Sequence, residues 1–115
     1  MNATLLTALF LSLASPAPAS PPAEQAVIRF FQAVEAGDCE TLRALTTHAA
    51  WQDRCTEAVQ EMRAHDTRLL AIDGSRPDGR DPATQLVRAR VHHSRGEHLW
   101  LLAVKPAGAS WRIEI

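Results

Sequence analysis

Side chains able to do chemistry are few in this chain, and most crowd one short stretch. Val91 to Trp100, VHHSRGEHLW, holds three of the five histidines. The stretch reads as a hairpin, with QLVRARVHH leading in, SRGE turning, and HLWLLAVK leading out. Strand alternation then puts His92 and His93 on opposite faces. Turning at SRGE sets His93 opposite His98, with Cβ atoms about 5 Å apart. Such a pair could share a metal ion, or bind or protonate a ligand. Two imidazoles fall short of the three or four ligands zinc takes, and no Asp or Glu is marked as a third. Three readings stay open: a metal rim at His93 and His98, a ligand or acid/base site, and a structural pair near a hairpin tip. His48 and His65 lie elsewhere and read as loop or helix-surface residues.

Other reactive patterns are missing. GxSxG, HExxH, GxxxxGK and paired CxxC do not occur, and nothing calls for a cofactor. Asp66 and Asp73 fall near a helix-to-strand passage and read as capping or exposed groups. The charges nearly cancel, 12 basic against 13 acidic for a net of -1, which excludes the basic face of a nucleic-acid binder.

The elements that position these residues are set by periodicity. Val27, Phe30, Phe31 and Val34 form one stripe of a helix over 23–36, ended by Gly37. Asp38 is the N-cap candidate of a second helix, CETLRALT, with Cys39, Leu42 and Leu45 on one side. A third helix over 51–65 carries Trp51, Cys55, Val59 and Met62. Both cysteines thus point inward. Residues 1–19 read as a signal peptide, with an apolar run at Leu5–Ala14 and an A-x-A-like site at Ala17 and Ala19, although its start carries no Lys or Arg. The run is too short to span a bilayer. The expectation is a secreted or periplasmic protein with no stable membrane anchor after cleavage. A lead-in at 20–23 then precedes a single domain over 24–115. Export favours a Cys39–Cys55 disulfide over two buried thiols. It would close a loop of about 16 residues, contributing about 3 kcal/mol.

From Arg68 the period changes to two. RLLAID is a short strand with Leu70 and Ile72 on one side, and GSRPDGRDPAT is a turn-rich loop. In the first hairpin Val91 faces Trp100, Ala89 faces Leu102 and Val87 faces Val104. Turning at PAGA sets Val104 against Trp111, Leu102 against Ile113 and Trp100 against Ile115. Both turns select one apolar face, giving an α+β domain: N-terminal helices packed on a curved four-stranded antiparallel meander. On the other face Arg88, Arg90, Arg112 and Glu114 surround Leu99, Leu101 and Ala103.

AVIRFFQAVEAGDCETLRAL resembles the opening of the NTF2-like (cystatin-like cone) superfamily, especially its small exported bacterial members. LVRARVHH, HLWLLAVK and the closing SWRIEI are similar to its final strands. The resemblance covers about Ala23 to Ile115. It implies a curved sheet wrapped around helices, often over an apolar pocket, which Phe31, Trp51, Met62, Trp100 and Trp111 would line, or else fill as core. The superfamily hosts isomerases, dehydratases, cyclases, ligand binders and assembly modules, so fold does not settle function. The chain contains no Tyr, so the Tyr-dependent sites of ketosteroid-isomerase-like and scytalone-dehydratase-like members do not carry over. The leading expectation is an exported binding or interaction module, not an enzyme, taking a small apolar ligand or a protein partner. The resemblance also implies a homodimer through the outer sheet face. The alternatives are a pocket enzyme of the polyketide-cyclase or isomerase type using a His or Asp, and a periplasmic metal binder through His93 and His98.

Overall fold

The computed structural model describes residues 21–115; the signal peptide expected at 1–19, and Ser20, lie outside the described residues. Helix α1 spans Pro22–Ala36. Proline suits its first turn, where an amide hydrogen has no partner. Its inner stripe, including Val27, Phe30, Phe31 and Val34, is buried. Gly37 ends it at φ 67°, with Gly37 N–H donating to Val34 O at 3.2 Å and Asp38 N–H to Ala33 O at 2.9 Å. This paired closure needs the left-handed residue that glycine supplies. Asp38 caps α2, Cys39–Leu45, accepting from Thr41 N at 3.2 Å.

The expected third helix is two helices. α3 covers Ala49–Asp53 and α4 covers Cys55–Ala64, with Arg54 between them at φ -136° and ψ 46°. Two anchors account for the break. The Gln52 amide donates to Arg43 O and Thr46 O, each at 3.0 Å, at the end of α2. Cys55 is bonded to Cys39 at the start of α2. Those ends lie about 9 Å apart, whereas three helical residues rise only about 4.5 Å.

The sheet is β1 Arg68–Pro77, β2 Gln85–His93, β3 Gly96–Ala107 and β4 Ser110–Ile113, antiparallel in the order β1-β2-β3-β4. β1 runs past the expected Asp73 to Pro77, with register shifts at Leu69/Ala71 and Ile72/Gly74. Each bulge inserts an unpaired residue and reverses the facing of the residues after it. Leu69 and Ile72 therefore pack on the core, and Leu70 is 44% exposed, not beside Ile72 as alternation suggested.

Both hairpins have the expected faces and a different register. Val91 pairs with His98, Ala89 with Trp100 and Val87 with Leu102. Val104 pairs with Ile113 and Pro106 with Trp111. Each hairpin is displaced by two residues because it closes on a two-residue turn, Ser94-Arg95 or Gly108-Ala109. The first turn residue has positive φ in both, 60° at Ser94 and 62° at Gly108, as a tight hairpin turn requires. A two-residue displacement keeps every side chain on its face. The inner face carries Val87, Ala89, Val91, Leu102, Val104 and Ile113 against α1 and α2, all buried. The result is an α+β domain, four helices and a four-stranded open antiparallel sheet among the described residues.

Candidate functional site

The tight turn places Gly96, not His98, opposite His93. The rings of His93 and His98 still meet edge-on, with centroids 6.2 Å apart. His93 also contacts Trp100 at 5.7 Å and shares a hydrogen bond between Nδ1 and Thr67 Oγ1 at 2.9 Å. Its closest ring neighbour is His65, stacked at 4.8 Å with planes 27° apart. His65, which by sequence reads as a helix-surface residue, sits at the end of α4, where Ser94 N–H donates to its carbonyl. Its Nδ1 lies 3.0 Å from Ser94 Oγ and its Nε2 3.1 Å from Glu61 Oε1. One signal was available: α4 passes into β1 through Asp66 and Thr67 just after His65. So short a passage forces the helix end onto the end of β2 that carries the histidines.

His92 points to the outer face as expected and meets Asp66 Oδ2 at 3.4 Å. Asp66 also accepts from Arg68 at 3.1 Å, and Asp73 from Arg90 at 3.0 Å. His48 caps α3, its Nδ1 accepting from Ala50 N at 3.0 Å. Among the described residues, no group of three or more His, Cys, Asp or Glu side chains is placed to hold a metal ion.

Four of the five aromatic and sulfur side chains expected around a pocket, or else as core, border grooves at the surface, and Trp100 packs against the core. Phe31 and Trp51 are buried, each edge-on to Phe30 at 5.2 Å, and Phe31 meets Trp100 at 6.1 Å. Phe31 borders a groove of about 290 Å³ with Glu35, Thr67 and Leu69. Trp51 and Met62 border another of about 360 Å³ with Glu57 and Glu61. Trp111 borders a third of about 180 Å³, beside Ala26 and Arg29. The disulfide between Cys39 and Cys55 is formed, with Cα atoms 5.9 Å apart.

Shifted ionisations belong to caps and surface pairs. The Thr41 hydroxyl, then the Thr41 N–H, hold the Asp38 carboxyl below its usual range. The Thr84 hydroxyl, then the Ala83 N–H, do the same for Asp81 in the loop after β1. Hydrogen bonding to Glu114, and that group's charge, raise Lys105.

The large hydrophobic residues exposed among the described residues are Leu70 at 44%, Leu99 at 50% and Leu101 at 55%. Leu99 and Leu101 stand on the outer sheet face opposite Arg90 and Arg88. Leu70 occupies the bulge beside Ala71, which pairs with Arg90. Arg112 does not join this surface; it reaches round the sheet edge to Arg43 O at 3.0 Å and Ala44 O at 3.3 Å, at the end of α2. Lone exposed leucines are ordinary, but neighbouring ones on a sheet face form a patch that a partner can cover. No family model, no curated protein and no solved structure matches this chain.

Proposed function

We propose that the chain is an exported NTF2-like domain that acts as an interaction module, presenting the outer face of its sheet to a protein partner. The observation that carries this reading is the division of its apolar side chains. Phe30, Phe31 and Trp51 are buried in ring-to-ring packing, while Leu99 and Leu101 are exposed on the outer face. The α+β layering and the end-to-end order of the strands are consistent with a cone of the NTF2-like kind. The Cys39–Cys55 bond fits an oxidising compartment such as the periplasm or the exterior. A photo-crosslinking residue at position 101, in the native host, is expected to trap a protein, and one at Gln32 is expected to trap nothing. A small-molecule adduct at Gln32 with no protein adduct at position 101 would reverse this reading.

A second reading rests on Thr67, which bonds to His93 and borders the groove beside Phe31. A ligand seated there would meet the Thr67 hydroxyl, with the His93 imidazole bonded behind it, among Ile28, Phe31 and Leu69; a positioned acid or base of that kind is what a small pocket enzyme of the cyclase or isomerase type would use. The adduct at Gln32 is the result that favours it.

A further inference from the structure

This inference deepens the reading of the outer sheet face as an interaction surface and rests on it. We infer that the partner enters as an extended segment, which adds a strand to the open edge of β3 at residues 97–101. β4 pairs with β3 over residues 104–107, and next to these Glu114 N–H donates to Ala103 O at 2.9 Å. Past Ala103 no described residue pairs with that side of β3. His93 and Gly96 flank the tight turn directly opposite one another, so they exchange hydrogen bonds, and His98, Trp100 and Leu102 repeat that exchange with β2. Glu97, Leu99 and Leu101 therefore turn their N–H and C=O groups away from β2, to the open side.

The other edges of the sheet are guarded. β1 carries two bulges and ends in Pro77, and its Ser75 Oγ donates to Glu24 of α1 at 2.6 Å. On β4, Ile113 is bridged to Thr46, and Arg112 bonds to the end of α2. Bulges, prolines, short strands and covering elements are what keep an edge from pairing. Residues 97–101 have none of these. They form a regular strand without a bulge, with unbonded backbone groups along one side and Leu99 and Leu101 exposed.

The side chains define what fits. A strand laid antiparallel to β3, in line with β4, sets alternate residues opposite Leu101, Leu99 and Glu97 on the outer face. The residues between them lie beside Trp100 and His98 on the inner face. Among the described residues Glu97 has no ion-pair partner within the chain, and His92 opposite it is held by Asp66. The complementary segment is therefore apolar-x-apolar-x-basic, about 17 Å long for five residues. Its main chain supplies affinity and its alternate side chains supply selection. A second copy is less complementary: β3 paired with itself about Leu99 sets each Glu97 against a leucine and leaves its charge unmatched.

A short peptide provides the test: acetyl-Ile-Thr-Ile-Thr-Lys-amide, added to the disulfide-bonded chain from Ser20, which contains every described element. Amide NMR is expected to show saturable binding, with the N–H groups of Glu97, Leu99 and Leu101 protected from solvent exchange at least about tenfold and those of β1 unmoved. Methylating the nitrogen of the central Ile, which faces β3, should weaken binding at least about tenfold, whereas methylating a Thr nitrogen, which faces away, should weaken it far less. Glu97→Lys, with an unchanged circular dichroism spectrum, should weaken binding about two- to fivefold, and a peptide ending in Glu should recover most of the loss. No binding at about 5 mM peptide overturns the inference. Equal binding of the peptide methylated at the central Ile does so too, because contact with the leucines alone does not use that N–H. Edge amides already protected without peptide, in a chain that sediments as a dimer, give the edge to a second copy and also overturn it. A peptide that fails while position 101 still traps a protein defeats strand addition alone. If position 101 traps none as well, the interaction reading falls with it.

Discussion

Along β2 the two faces of the sheet share one backbone and hold opposite populations. Val87, Ala89 and Val91 are sealed against the helices, while Arg88 and Arg90 between them are exposed. On β3 the contrast is weaker, because Leu99 and Leu101 occupy outward positions that Arg88 and Arg90 occupy next door. Burial alone makes an apolar residue stabilising. A leucine on the outer face contributes almost nothing to the isolated chain, and what it contributes to association depends on what covers it.

The largest effect expected of this contrast comes from emptying the inner face. Phe30 is wholly buried and meets both Phe31 and Trp51 edge-on. Phe30→Ala should cost about 3–5 kcal/mol, read as a lower urea midpoint, whereas Leu101→Ala should stay within about 0.5 kcal/mol. Equal costs would abolish the distinction between the faces.

Opening the cross-link between α2 and α4 ranks next. Cys39→Ser with Cys55→Ser should cost about 3 kcal/mol for the 16-residue separation, measured by thermal or urea unfolding. Free thiols titrating in the oxidised protein would contradict the bond.

Gly37 is a smaller case, because it lies at an exposed helix end. Its φ of 67° disfavours any side chain, and an added Cβ would sit 3.5 Å from Arg63 Nη2. Gly37→Ala should cost about 1 kcal/mol, by the same unfolding measurement.

The smallest effect belongs to the solvent-facing cap at Asp38. Its folded carboxyl is held below the usual range, first by the Thr41 hydroxyl. A depressed folded value means that the cap's contribution is present above the ordinary aspartate range and is lost as pH falls through the folded value. Thr41→Ala should move the Asp38 titration upward in an NMR experiment and flatten the acid limb of stability. An unmoved titration would show that the hydroxyl is not the cause.

Much of this architecture was legible in the residues, and the histidine region shows where legibility stopped. Alternation separates His92 from His93, and His92 does turn away to Asp66. Nothing in a period of two could show that His65, 28 positions before His93, stacks on it. That contact depends on where α4 ends relative to β2. The leucine patch is visible as an interruption of a charged face. Alternation puts Leu70 on the wrong side because a bulge leaves no mark in an apolar pattern.

Sequence alone determined which side of each hairpin strand meets the helices, and that Cys39 and Cys55 point inward. Both rest on periodicity, a local property of the chain. Tertiary structure decided the register, the two bulges of β1 and the break at Arg54. A pattern of period two is unchanged by a displacement of two, so alternation sets hairpin register only to within two residues. The tight turns at Ser94-Arg95 and Gly108-Ala109 select among the registers that remain. The break at Arg54 arises because Gln52 and Cys55 are anchored to opposite ends of α2, a constraint that no single helix's pattern contains.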